Sequence, residues 1–163
     1  MDVADLDDDP AVTGHRLGAW RAFLEAHAHI TEVLARELRD EEDLPLAWYD
    51  VLVHLSEASG QQLRMQELAD AILLSKSGLT RLVDRMQTAG LVEREACPSD
   101  KRGTFARLTE QGLAALEAAA PTHVRGVDQH FASLFDDEEA AVLERLLRRL
   151  AEANREPATK AEC

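Results

Sequence analysis

The residues of this chain that are best suited to chemistry would fall on about three turns of one helix. They combine short hydroxyls with positive charge: Ser75, Lys76, Ser77, Thr80, Arg81 and Arg85. Ser75 is a good N-cap residue, and a capped helix presents its first amides to an anion such as a phosphate. Ser77, Thr80 and Arg81 would reach base edges, because arginine can bond O6 and N7 of guanine and threonine can contact the thymine methyl group. This chemistry is the recognition of double-stranded DNA.

A second basic cluster follows this helix and consists of Asp100, Lys101 and Arg102. It stands in a turn-rich stretch between two short segments with partial alternation, which predicts a β-hairpin with a basic tip. The negative potential of the minor groove favours arginine, and Asp100 can hold the Arg102 guanidinium in one orientation. An ordinary amphipathic helix and a merely polar turn are the alternatives for these two features. Their direct succession favours DNA binding.

The elements that must position these residues are mainly helical. Apolar residues at helical spacing predict helices at about 13–40, 45–59, 65–71, 75–89, 109–135 and from 136 onward. Two short helices joined by a tight turn form a helix-turn-helix. The predicted fold class is therefore mainly α with a small β-hairpin wing, a winged helix-turn-helix flanked by long N- and C-terminal helices.

The net charge of −13 at first argues against a DNA partner, because phosphate binding needs a positive surface. The charge is unevenly distributed, however. Residues 73–108 hold seven basic and four acidic residues, a net charge of +3, whereas the remainder carries −16. The predicted DNA-binding face is thus locally positive. The acidic remainder would repel DNA elsewhere and limit non-specific binding.

Length and composition restrict the class of protein. A chain of 163 residues with 45% hydrophobic residues can bury the core of one domain, and 4% aromatic residues argue against an all-β sandwich. Two cysteines, Cys97 and Cys163, do not make a disulfide framework. The N-terminus has five aspartates in ten residues and no signal-peptide pattern, and no apolar stretch is long enough to span a membrane. We expect a cytoplasmic protein without a membrane partner.

Enzymatic and metal chemistry have little support in the sequence. There is no phosphate-binding glycine loop, no cysteine pair and no nucleophile motif, so we expect neither an enzyme nor a cofactor. His27 and His29 are two positions apart and would point to different sides of a helix, and the histidines show no ligand spacing with cysteine. No metal site is predicted, although clustering in the fold stays open. Cys97 has no basic activator beyond the wing residues and is expected to be inert.

Taken together, the motifs resemble those of the MarR (multiple-antibiotic-resistance regulator) family of winged-helix regulators. The resemblance rests on Leu68-Ala69-Asp70, on the run from Ser75 to Met86, on Gly90-Leu91-Val92-Glu93-Arg94, on Asp100-Lys101-Arg102-Gly103 and on Leu108-Thr109-Glu110-Gln111-Gly112. Its core covers residues 44–112, and the flanking helices extend it over nearly the whole chain. Leu73 departs from the pattern, since many members carry a small turn residue there.

The resemblance implies a homodimer that binds a pseudo-palindromic operator, with recognition helices in successive major grooves and Arg102 in the minor groove. It also implies a repressor that releases DNA when a small phenolic or anionic effector binds between the dimer helices and the DNA-binding lobe. The candidates for that pocket are Trp20, Phe23, His27, Trp48 and Leu52. Aromatic residues at helical spacing are also typical of a plain core, so this alternative stays open.

The chain is accordingly expected to divide into five parts: a disordered acidic arm (1–12), an N-terminal dimerisation helix (13–43), a winged helix-turn-helix DNA-binding lobe (44–112), C-terminal dimerisation helices (113–156) and a tail (157–163). Two other functions are compatible with such a fold. One is a winged-helix protein-interaction module, and the other is a metal- or redox-responsive regulator.

Overall fold

A computed structural model describes residues 14–72, 75–96 and 103–154, except for the side chain of Lys76. The helices and strands of this part are α1 (His15–Glu42), α2 (Leu46–Glu57), β1 (Gln62–Arg64), α3 (Met65–Ala71), α4 (Lys76–Thr88), β2 (Val92–Ala96), β3 (Thr104–Leu108), α5 (Glu110–His130) and α6 (Asp137–Ala153). The predicted fold class is confirmed. The arm at 1–12 and the tail at 157–163 lie outside the described residues.

The small sheet is larger than the predicted hairpin. Strands β2 and β3 pair antiparallel, from Val92 opposite Leu108 to Ala96 opposite Thr104. A third strand, β1, pairs with the other edge of β3 and gives the order β1-β3-β2. The sequence did not predict β1, because three residues are too few to show alternation. The strand begins directly after Gly60 and Gln61, whose positive φ angles turn the chain out of the end of α2.

One apolar core lies inside the lobe formed by α2, α3, α4 and the sheet. Val51, Leu55, Leu68 and Val83 have no exposed surface, and neither has Ala106 on the central strand. The C-terminal part of α1 and the N-terminal half of α5 also contribute to this core, through Leu38, Leu116 and Ala119. The lobe is therefore continuous with the inner ends of the long helices.

Helix α5 is joined to the lobe at its first turn and to α1 along its second half. The Thr109 hydroxyl caps the helix by accepting from the Gly112 amide at 3.0 Å, and it donates to the carbonyl of Gly90 at 2.7 Å. Further along, His130 Nε2 lies 2.7 Å from Glu37 Oε1, and Arg125 pairs with Glu41. These contacts hold the lobe at one end of a long two-helix support formed by α1 and α5.

The element boundaries differ modestly from the predicted ones. Helix α5 ends at His130 instead of Phe135, since a 3₁₀ turn at Ala132–Leu134 precedes α6. Helix α6 begins with a capping box between Asp136 and Glu139. The Glu139 amide donates to Asp136 Oδ1 at 2.9 Å, and the Asp136 amide donates to Glu139 Oε2 at 3.1 Å.

The outer helices leave apolar side chains uncovered. Helix α6 has no buried residue, and its apolar stripe of Val142, Leu146 and Leu150 is between 42% and 47% exposed. On the N-terminal half of α1, Trp20 is 53% exposed. In the part of the chain that the structure describes, no helix is both long and apolar enough to cross a bilayer.

Candidate nucleic-acid interface

The second helix of the helix-turn-helix, α4, begins as the sequence predicted. The Ser75 hydroxyl accepts a hydrogen bond from the Gly78 amide at 3.1 Å, which is the bond of a serine N-cap. A capped N-terminus leaves other first-turn amides available to an external acceptor. The arrangement at the start of α4 is suited to a phosphate oxygen.

Helix α4 separates its two faces sharply. Leu79, Leu82, Val83 and Met86 are buried against the lobe core, whereas the predicted contact residues Ser77, Thr80, Arg81 and Arg85 are exposed. Arg81 Nε donates to the Ser77 carbonyl at 3.3 Å, so this side chain lies back along its own helix. Short hydroxyls and two arginines thus form one exposed surface on a helix whose other face is buried.

Several predicted residues lie outside the description. Asp100, Lys101 and Arg102 of the hairpin tip, the neighbouring Cys97 and the side chain of Lys76 are not among the described groups. The strands that carry the tip are described up to the pair Ala96 and Thr104. The roles of the tip residues therefore stay predictions.

Two arginines counted in the positive segment have partners within the fold. Arg94 on β2 pairs with Asp84 on α4 at 2.9 Å, and Arg107 on β3 pairs with Glu95 on β2 at 2.6 Å. The net charge of +3 therefore does not say which positive groups are available to DNA, because Arg94 and Arg107 are paired with acids of the fold. Arg81 and Arg85 are the exposed arginines of α4, and Arg94 has a structural role that the sequence analysis missed.

The predicted effector-pocket residues fall into two groups. Trp20, Phe23 and His27 form a row on α1, with ring centroids 6.1 Å and 6.3 Å apart, and all three are exposed. Trp48 is half-buried against the lobe core, and Leu52 is completely buried inside it. Within this chain, the α1 row is a surface feature and Leu52 is a core residue. A ligand role for any of them stays a prediction.

A polar cluster that the sequence analysis did not single out joins α5 to α2. The rings of His123 and Tyr49 lie 4.4 Å apart, and His123 Nδ1 is buried without a hydrogen-bond partner. Burial lowers the pKa of His123, against the opposing effect of Asp50. Burial also raises the pKa of Asp50, against the effects of His123 and His54. The sequence offered no signal for this cluster, because its members are about 70 positions apart.

Metal binding finds no support in the described part of the chain. Among residues 14–72, 75–96 and 103–154, no group of three or more histidine, cysteine, aspartate or glutamate side chains is arranged to hold an ion.

Comparisons with known proteins agree with this geometry. A family model described as MarR family matches residues 42–103. Among curated proteins, the transcriptional regulator MhqR of Bacillus subtilis is 34% identical over 86 residues. The match covers 53% of this chain and 59% of MhqR, so the chain spans less than two thirds of that relative.

Two solved structures from Streptomyces coelicolor are similar over almost their whole length. AbsC, a MarR family transcriptional regulator, is 41% identical with a TM-score of 0.82, covering 88% of this chain and 96% of AbsC. Sco3205, a MarR family transcriptional regulator in complex with DNA, is 36% identical with a TM-score of 0.84. That match covers 91% of this chain and 94% of Sco3205.

Proposed function

The chain belongs to the MarR family of transcriptional regulators, and we propose from this premise that it is a repressor that binds a pseudo-palindromic operator as a homodimer. The observation that carries the proposal is the exposed face of α4. It presents Ser77, Thr80, Arg81 and Arg85 on a helix whose opposite face is buried. The similar regulator Sco3205 has been crystallised with DNA, and this supports DNA as the partner.

In the proposed complex, α4 lies in the major groove. Ser75 caps the helix so that its first amides face a backbone phosphate, and the hydroxyls of Ser77 and Thr80 with the Arg81 guanidinium contact base edges. Arg85 and Lys76 add phosphate contacts, as does Lys101 on the hairpin. Arg102, oriented by Asp100, enters the minor groove.

The homodimer is supported by the uncovered stripes on the long helices. Val142, Leu146 and Leu150 on α6 are large apolar residues on one face of a helix that buries none of its residues in this chain. A two-fold dimer would place copies of this surface in contact and remove it from water. Dimerisation also sets the distance between the two copies of α4, which a palindromic operator requires.

We further propose that a small phenolic or anionic effector controls DNA release. Its support is the family membership together with the exposed aromatic row Trp20, Phe23 and His27 on α1. This row lies on the N-terminal half of α1, which a second copy of the chain would cover in the proposed dimer. Binding of an effector there would change the separation of the two lobes and so reduce operator affinity.

The DNA proposal can be tested by fluorescence anisotropy with a duplex from the region upstream of the protein's own gene and a shuffled duplex of the same composition. We expect preferential binding to the upstream duplex, with log K falling by about 0.9 per phosphate neutralised as log salt rises. Arg81→Ala should weaken binding to the upstream duplex by about tenfold or more and reduce the preference. Arg102→Ala should weaken binding to both duplexes.

Arg145→Ala is the matched control, because Arg145 is an exposed arginine on α6 and its loss removes the same charge. Its affinity should stay within about twofold of the parent. If the parent protein has no preference for the upstream duplex, or if Arg81→Ala and Arg102→Ala bind as well as Arg145→Ala, the proposed interface is wrong.

A further inference from the structure

One arginine of the sheet reaches across to the recognition helix. Arg94 lies in the middle of β2, and its guanidinium makes two bonds to α4. Nη1 is 2.9 Å from Asp84 Oδ1, and Nη2 donates to the carbonyl oxygen of Thr80 at 3.1 Å. Because Thr80 and Asp84 are four residues apart, they lie on one ridge of the helix. The two terminal nitrogens of the guanidinium, Nη1 and Nη2, are thus both directed at a single ridge of α4.

The surroundings of Arg94 make this contact stiff. Its side chain is only 27% exposed, and Nε is buried without a hydrogen-bond partner. A partly desolvated guanidinium interacts more strongly with a carboxylate than one in water does. A planar fork with two bonds also leaves less freedom than a lysine ammonium would. The contact therefore adds a polar constraint between α4 and β2 to the apolar packing under the helix.

The same contact places an acid on the surface that meets DNA. Asp84 is 53% exposed and lies on α4 one turn after Thr80, a predicted base-contacting residue. A carboxylate there opposes phosphate binding by simple electrostatics. An acid at this position is explained if the pairing of Asp84 with Arg94 raises DNA affinity by more than the negative charge of Asp84 lowers it.

We propose that Arg94 and Asp84 are positioning residues for DNA recognition, which hold α4 at the angle to the β2–β3 hairpin that the operator requires without contacting DNA themselves. This inference rests on the proposed DNA-binding function. The pair acts through helix placement, so its loss affects the specific complex, in which side chains must meet particular base edges. Non-specific binding, which tolerates small shifts of the helix, is affected much less.

Asp84→Asn gives a test in which the two explanations differ in sign. The substitution is nearly isosteric at an exposed position and removes a negative charge from the DNA-binding face. If charge alone matters, affinity for the upstream duplex rises. If Asp84 positions α4 through Arg94, affinity for that duplex falls by about tenfold, while affinity for the shuffled duplex stays level or rises.

Two substitutions at Arg94 separate charge from geometry. Arg94→Lys keeps the charge but loses the two-pronged contact, so it should weaken specific binding nearly as much as Arg94→Ala. Arg107→Ala is the matched control, because Arg107 forms its ion pair with Glu95 within the same hairpin and not with α4. It removes the same charge and should reduce specific binding at most about threefold.

A double-mutant cycle adds a measurement that a general loss of stability would not change. If Arg94 sets where α4 side chains reach, Arg81→Ala should cost clearly less affinity in the Arg94→Ala background than in the parent protein. Additive effects, or tighter specific binding by Asp84→Asn, would overturn the inference. A parent protein that prefers no duplex would instead overturn the proposed function, so the two failures are distinguishable.

Discussion

Apolar side chains are buried in the DNA-binding lobe but are largely exposed on α6 and on the N-terminal half of α1. In the lobe, Val51, Leu55, Leu68 and Val83 are completely buried by neighbours from the same chain. On α6, the side chains of Val142, Leu146 and Leu150 are almost half exposed, and no residue of the helix is buried. The core of the lobe is built from residues of one chain, whereas the apolar surface of α6 is left exposed by the part of the chain that the structure describes.

The boundary between these two regions passes through α1. Leu34 and Leu38, in its C-terminal part, are buried against α5 and the lobe. Trp20, Phe23 and Leu24, in its N-terminal half, are between 38% and 53% exposed. The difference teaches that one continuous helix can contribute to the core at one end and leave its apolar residues exposed at the other. Its inner end stabilises the lobe, and its outer end is available to a second copy of the chain.

The largest effect is expected from a charge placed in the apolar stripe of α6, because this substitution tests whether the exposed stripe is a dimer interface. Leu146→Glu puts a carboxylate on the proposed dimer interface twice per dimer, where its burial costs desolvation and the apolar contact is lost. We expect the dimer dissociation constant to rise by about 1000-fold, or about 4 kcal/mol, as measured by sedimentation velocity over a range of concentrations. The lobe should keep its fold, since none of its core residues is changed.

Ala141→Glu is the control for this substitution. Ala141 is exposed on the opposite face of α6, so the variant gains the same charge without touching the stripe. Its dimer constant should remain close to that of the parent protein. A Leu146→Glu variant that sediments as the parent does would mean that α6 contributes nothing to assembly.

A smaller effect should distinguish the two ends of α5. At Gly112, a β-carbon would overlap the carbonyl oxygen of Leu91 and would lie 2.9 Å from Leu108 Cδ1. At Gly126, a β-carbon would meet side-chain atoms, Glu37 Oε2 at 2.5 Å and Leu34 Cδ2 at 2.7 Å. A backbone carbonyl held in the lobe cannot move aside, whereas a glutamate can change its rotamer.

We therefore expect Gly112→Ala to lower the free energy of unfolding by about 2–3 kcal/mol, even though alanine is the better helix former. Gly126→Ala should cost less than about 1 kcal/mol, because the gain in helix propensity offsets the crowding. Urea unfolding at one protein concentration compares the two. An equal or reversed order would contradict the contrast between a rigid lobe and an adaptable helix pair.

The local structure of the recognition helix could be predicted from the sequence because it depends on neighbours in the chain. A serine N-cap and an apolar face at 3.6-residue spacing are visible without knowing the fold, and in the structure Ser75 caps α4 and Val83 is buried. The capping box of Asp136 and Glu139 is predictable for the same reason.

The features that the sequence did not predict depend on contacts between different elements of the fold. Arg94 and Asp84 could be counted as charges but not paired, because only the fold brings β2 against the exposed ridge of α4. Strand β1 is defined by its partner β3 and not by its own three residues. Periodicity likewise groups Trp20 with Phe23 on one face of α1 but does not say what covers that face.

The smallest predicted effect concerns the junction of the two regions, where His123 on α5 packs against Tyr49 on α2. Burial keeps the pKa of His123 below its ordinary value of about 6.5, so the native state binds fewer protons there than the unfolded chain does. The stability that neutral His123 provides is present above about pH 6.5 and is lost as the pH falls through the native pKa. Asp50 on α2 interacts with it, and the raised pKa of Asp50 has the opposite linkage, since its native carboxyl takes up a proton more readily.

His123→Gln removes the histidine contribution and leaves that of Asp50 in place. The stability difference between the parent and this variant should be larger at about pH 7.5 than at about pH 5.5, as measured by urea unfolding at both values. His27→Gln, at an exposed position on α1, should show no such change. If the His123→Gln difference is the same at both pH values, the junction is held by packing alone, and protonation does not affect how the lobe is joined to the long helices.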